Sequence, residues 1–170
     1  MRKKIVDYDK ANQVSYQQKA ETLVVEWSGA NDLVTVNAEP SREEVDKAIA
    51  ARVDNVKKLI AAGYRNFVLF ELPNLSLTPR FQAKTRQERE EAEQCTLYFN
   101  TKLQQVCAQL HSDYPHCSIG VFNVNTMFEK VYRNPGQFLF DQDKLTVGYT
   151  QSPDFDNPAD GISAKRLYVL

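Results

Sequence analysis

Short apolar runs alternate with longer amphipathic ones along this chain, and the alternation predicts strands separated by helices. Leu23-Val24-Val25-Glu26-Trp27 reads as a first strand. Ser41 then stands as an N-cap with Glu44 three residues on, the pattern of a capping box. Val45, Ile49, Val53, Val56 and Ile60 keep a helical spacing, and Gly63 supplies the C-terminal stop. Phe67-Val68-Leu69-Phe70 is the second strand, broken by Pro73. Its near-continuous apolar character suits a parallel strand covered on both faces.

A loop with turn chemistry follows from Leu72 to Phe81, holding Pro73, Asn74, Ser76 and Pro79. A long helix is expected from about Gln82 to Leu110. Its first half, Lys84 to Glu93, is almost wholly polar, which suits projection into solvent or packing against another element. Its second half carries an apolar stripe of Ala92, Cys95, Phe99, Leu103, Val106 and Leu110. Ser118-Ile119-Gly120-Val121-Phe122 is the third strand, and a short helix runs from Asn125 to Tyr132. From Arg133 to Lys165 the chain is rich in Pro, Asp and Gly and reads as an irregular excursion, a kind of segment that often serves function. Arg166 to Leu170 looks like the start of another strand. This β-α-β-α-β order argues for an α/β sandwich with a mostly parallel sheet in one domain spanning residues 1–170.

Composition narrows the class. Apolar residues are 42% and charged residues 25% of 170, the profile of a globular chain with a real core. The formal net charge of -1 offers no electrostatic footprint for nucleic acid or an anionic membrane surface. No apolar run approaches the roughly 20 residues of a membrane span. Met1-Arg2-Lys3-Lys4 is basic, but no apolar signal-peptide core follows, so no targeting segment is expected here. Cys95, Cys107 and Cys117 make no metal-binding pattern, and neither a metal nor a cofactor is implied. All three are expected to be buried as small apolar residues; if a disulfide forms, Cys107 with Cys117 is the feasible pair.

In a parallel sheet, ligands gather beyond the carboxyl ends of the strands, here Ser28–Leu33, Leu72–Pro79 and Asn123–Met127. Gly29 permits a tight turn there. Asn31 brings an amide donor that cannot titrate, suited to a developing oxyanion; a bland role for Asn31 and Asp32 is to cap the next helix. The only histidines, His111 and His116, fall at the opposite end of the sheet and read as surface or helix-capping residues. Ser15, Ser28, Ser76 and Ser118 lack a nucleophile-elbow pattern. Glu26 and Glu71 sit near neighbouring strand ends, where a carboxylate pair can do acid–base work or simply reach water or a basic partner.

Trp27-Ser28-Gly29-Ala30-Asn31-Asp32-Leu33 after an apolar strand resembles the third conserved block of the SGNH/GDSL ester hydrolases. Three further segments agree in order: Phe67 to Pro79 with its Leu-Pro…Pro loop, Phe99-Asn100…Leu103, and Phe122-Asn123-Val124-Asn125 through Asn134-Pro135 to Phe138. The subgroup most similar holds bacterial lysophospholipases, thermolabile haemolysins and glycerophospholipid acyltransferases, which are often secreted. The resemblance implies a three-layer, flavodoxin-like α/β/α core and a serine mechanism on lipid or small carboxylic esters. Asn31 would be the oxyanion donor and Gly29 the turn supporting its loop, with Asp32, Leu33, Pro73 and Leu75 lining the substrate.

The departures are specific. No Gly-Asp-Ser nucleophile block precedes Leu23, the family's second glycine block is missing, and Asp160-Gly161-Ile162-Ser163 holds no histidine to stand for its last block. The resemblance therefore covers a core incomplete at both ends, expected to be inactive by itself and to expose a sheet edge through which copies could associate. A non-catalytic interaction module built on the same core is the competing expectation, with Lys84–Glu93 and Arg133–Lys165 as contact surfaces.

Overall fold

Residues 2–34 and 40–148 are described by a computed structural model. The chain opens with two helices that the apolar pattern does not announce, α1 (Arg2–Ala11) and α2 (Tyr16–Glu21). The second begins with a full capping box: the Ser15 hydroxyl accepts from the Gln18 N–H, and the Gln18 side chain accepts from the Ser15 N–H. Then come β1 (Leu23–Glu26), a short α3 (Ala30–Val34), α4 (Arg42–Ala61) and β2 (Asn66–Phe70). After a 3₁₀ turn at Leu75–Leu77 follow α5 (Pro79–Gln82), α6 (Arg86–Asp113), β3 (Ser118–Phe122) and α7 (Val124–Arg133). Further 3₁₀ turns occupy Pro135–Phe138 and Gln142–Lys144. The expected strand at Arg166–Leu170, and the excursion beyond residue 148, lie outside the described residues.

The three strands form a parallel sheet in the order β1-β2-β3. Leu23, Asn66 and Ser118 stand in register at one end, with Glu26 opposite Leu69 at the other. An α/β fold with a parallel sheet is thus what the alternation of runs produced. Two compact units group the contacts, Met1–Glu71 with Tyr98–Asn123, and Leu72–Leu97 with Val124–Leu170.

The first unit holds the sheet. On α4, Val45, Ala48, Ile49, Arg52, Val56, Leu59 and Ile60 are buried. The stripe has the expected period, but Arg52 occupies the position that Val53 was expected to share, and Val53 is only half-buried. Ser41 caps α4 by accepting from the Glu44 N–H, yet Glu44 does not reach back to close a box; its carboxylate pairs with Lys47 instead. Gly63 ends the helix with φ +111°, a conformation that glycine adopts at little cost. Along α6, Phe99, Leu103, Cys107 and Leu110 are buried, so Cys107 rather than Val106 carries the stripe. Phe67 and Leu69 of β2 are buried while Asn66, Val68 and Phe70 are half-buried, so the second face is less covered than the apolar run implied.

The second unit corrects the start of the long helix. α5 stops at Gln82 and α6 begins at Arg86, behind a capping box set within the polar run. Thr85 Oγ1 accepts from the Glu88 N–H, and Glu88 accepts from the Thr85 N–H at 2.9 Å. The Thr85 hydroxyl also donates to the Glu88 carboxylate at 2.6 Å, and that bond, with the Thr85 N–H and then Lys84, holds the Glu88 carboxyl down to about 2. The polar first turns of α6 are exposed and laced by Arg86–Glu90 and Gln87–Glu91 contacts four residues apart.

Candidate active site

β1 ends at Glu26, and the chain must turn away from the sheet at once. Gly29 makes that turn with φ +105° and is itself buried. A Cβ placed there would lie 2.8 Å from Cε2 of Phe99, so the ring and the backbone leave no room for a side chain. α3 follows, and its residues divide sharply. Leu33 is fully buried, while Asn31 and Asp32 are exposed. A buried foot and a glycine turn thus raise two polar side chains beyond the carboxyl end of the strand.

The bland alternative for Asn31 was capping, and the geometry does not use it that way. α3 starts at Ala30, ahead of Asn31, and the Asn31 amide makes no hydrogen bond among the described residues. Asp32 borders a small depression of about 270 Å³ together with Ser28, Glu44, Lys47, Ala48, Ala51, Arg52 and Asn55.

Beneath the turn lies a charged floor. Arg52, 1% exposed, donates from Nε to the Glu26 carboxylate, and from Nη2 to the main-chain oxygens of Glu26 at 2.7 Å and Phe70 at 3.0 Å. The Ser28 hydroxyl donates to the other Glu26 oxygen at 2.5 Å. The guanidinium carbon also sits 5.5 Å from the centre of the Phe99 ring. Burial pushes the Arg52 pKa down while Glu26 beside it pulls the other way, and an arginine keeps its charge throughout. Arg52 was not singled out from the sequence. The signal was there: a charged residue at the i+3 position from Ile49 and i−4 from Val56 stands on the buried stripe.

The other candidates resolve into structural roles or separate places. Glu26 is bound to Arg52 and Ser28, the basic-partner alternative rather than a free acid. Glu71 is 2% exposed and accepts from Gln104 Nε2 at 2.7 Å. In the other unit, Pro73 is half-buried and Leu75 buried. Their loop is pinned by the Leu75 N–H donating to Thr96 Oγ1 and by Asn74 accepting from both the N–H and the hydroxyl of Ser76. Leu33 and Leu75 are each buried within their own unit and present little surface to a ligand.

His111 and His116 are exposed. Asp113-Tyr114-Pro115-His116 repeats an Asp-x-x-His spacing, but it precedes β3, at the amino end of the sheet. The length of the strands, roughly 15 Å, separates that end from Asn31. All three cysteines are free and buried, so the Cys107–Cys117 bridge is not made. Burial raises the Cys107 thiol to about 11. Among the described residues no group of His, Cys, Asp and Glu could hold a metal ion, and no helix is long and apolar enough to cross a membrane.

The family model described as GDSL-like Lipase/Acylhydrolase matches residues 3–161. The secreted effector protein SseJ of Salmonella typhimurium is 23% identical over 146 residues, 85% of this chain and 34% of its own. The chain thus spans about a third of the length of that curated relative.

Proposed function

Because the chain belongs to the GDSL-like lipase/acylhydrolase family, we propose that its segment Gly29–Asp32 is the oxyanion-hole block of a serine ester hydrolase. The observation that supports this most is the Asn31 amide, exposed beyond the carboxyl end of β1 and making no hydrogen bond among the described residues. In such a reaction a serine hydroxyl attacks the ester carbonyl carbon and passes its proton to an imidazole. The carbonyl oxygen becomes an alkoxide, and the Asn31 N–H groups stabilise it without exchanging a proton. Gly29 sets the backbone that aims the amide, and Asp32 flanks it.

The substrate class that fits the family is a carboxylic ester, and within it we favour the ester bond of a lipid or phospholipid. The lysophospholipase and glycerophospholipid acyltransferase subgroup is the finer assignment. Transfer of the acyl group to an alcohol instead of water uses the same oxyanion chemistry. Leu33, fully buried, would support the oxyanion loop from behind, and Pro73 and Leu75 would serve as substrate contacts on the loop after β2.

Hydrolysis of a chromogenic short-chain ester by the full-length protein tests the reading. Asn31→Ala should lower turnover about a hundredfold or more, since a single oxyanion donor is worth roughly 3 kcal/mol at the transition state. An unaltered rate would remove the assignment. A second reading, a non-catalytic interaction module on the same core, draws on the absence of a Gly-Asp-Ser sequence and on histidines at the far end of the sheet. Serine-inhibitor-sensitive hydrolysis by the 170 residues alone would reject that reading.

A further inference from the structure

Arg52 has a pattern of bonds that a stabilising ion pair does not need. One guanidinium joins the end of β1 to the end of β2 through the oxygens of Glu26 and Phe70. It holds the Glu26 carboxylate, which in turn receives the Ser28 hydroxyl. It also lies over Phe99, the ring on which Gly29 is packed. Ser28 and Gly29 lead directly into Ala30 and Asn31, so each of the two residues before α3 is fixed by a group that Arg52 touches.

Removing an arginine from water is expensive, and hydrophobic residues of similar volume commonly serve stability as well or better. A charged residue on the buried stripe of α4 is thus poorly explained by stability alone. Its planar fork meets one carboxylate and two carbonyls from two spread nitrogens held in fixed geometry, a span that lysine's compact ammonium does not reproduce. We propose that Arg52 is a positioning residue for the oxyanion loop, holding Ser28 and Gly29 through Glu26 and Phe99 so that the Asn31 amide is aimed before substrate arrives. This rests on the oxyanion reading of Asn31. The energetic logic is preorganisation: a donor that must be ordered during the reaction gives back much of what it supplies.

Three variants test it: Arg52→Met combined with Glu26→Gln, which leaves no unpaired charge; Arg52→Lys; and Ser28→Ala, at an exposed position. Two readouts are needed, ester hydrolysis by the full-length protein and backbone ¹⁵N relaxation in this chain. The paired variant should keep its melting temperature near that of the parent and lose roughly ten- to a hundredfold in kcat, as misplaced catalytic groups do, with KM little changed. Order parameters at Gly29, Ala30 and Asn31 should fall from the rigid range near 0.85 toward 0.6, while those of α4 and β2 stay high. Arg52→Lys should recover part of kcat, and Ser28→Ala should show a smaller loss of the same kind.

A folded paired variant with parental kcat overturns the proposal, and so does a fall in kcat with no change at residues 29–31. If the paired variant does not fold, Arg52→Lys and Ser28→Ala decide: parental kcat and order parameters in both overturn it. Should Asn31→Ala leave hydrolysis untouched, the oxyanion reading fails by itself. The relaxation measurement still reports whether Arg52 orders the loop.

Discussion

Gly29 and Phe99 meet so closely that the backbone of one and the ring of the other share a single van der Waals surface: a Cβ on Gly29 would stand 2.8 Å from the ring. The contact joins the turn after β1 to the buried stripe of α6. Gly29→Ala must therefore both displace an aromatic ring and hold φ near +105° with a side chain present. We expect a loss of about 2 kcal/mol or more, read as a lower denaturant midpoint with an unchanged slope. If Asn31 is the oxyanion donor proposed above, ester hydrolysis by the full-length protein should fall further than the loss of folded protein explains.

Asn31→Ala should do the reverse. The side chain is exposed and makes no hydrogen bond among the described residues, so stability should stay within about 0.5 kcal/mol of the parent. Loss of turnover in a variant that melts normally separates a donor to substrate from a residue that supports the loop. A large drop in melting temperature would show instead that the amide does structural work.

Glu71 and Gln104 form a polar contact in which a carboxylate that is 2% exposed accepts a 2.7 Å bond from Gln104. Gln104→Ala leaves that acceptor short of a partner and should cost about 1–3 kcal/mol. Glu71→Gln preserves a hydrogen-bonding side chain of the same shape and should leave ester turnover largely unaltered. A collapse of turnover with intact folding would restore Glu71 as an acid–base candidate.

Alkaline pH should weaken the fold in two steps. Burial raises the Cys107 thiol from 9.0 to about 11, and burial with the Asp9 bond raises the Tyr64 hydroxyl from 10.0 to about 12. Between each pair of values the unfolded chain has lost the proton that the native state keeps, so stability falls as pH rises. These contributions are fully present below pH 9 and decline from there to about 12. Cys107→Ala should flatten the lower part of the decline and Tyr64→Phe the upper part, measured by urea titration at each pH. In the native protein at pH 8, the three buried thiols should react slowly with a thiol reagent and rapidly once unfolded.

How much of this was legible depended on how local each signal is. The strands and the two long helices follow from the spacing of apolar residues, and the register β1-β2-β3 realises the parallel order that their alternation implied. The start of α6 was misplaced because Pro79–Gln82 is itself helical, whereas the true start lies in the Thr85–Glu88 box. Val106 and Cys107 are adjacent on one stripe, and hydrophobicity alone prefers valine; the burial of Cys107 comes from what α6 packs against. Arg52 was overlooked because a charge inside a stripe is judged by its partners, and Glu26 and Phe70 lie 26 and 18 residues away.

The chain's own pattern determined the α/β class, the parallel sheet and the place of the Gly-x-Asn-Asp turn at a strand end, since periodicity and turn chemistry act over a few residues. Tertiary structure alone decided that Asn31 is exposed, that Leu33 is its buried foot, and that Arg52 lies beneath both strand ends. Those facts depend on which distant groups fold against one another, and on the cost of burying a charge without partners.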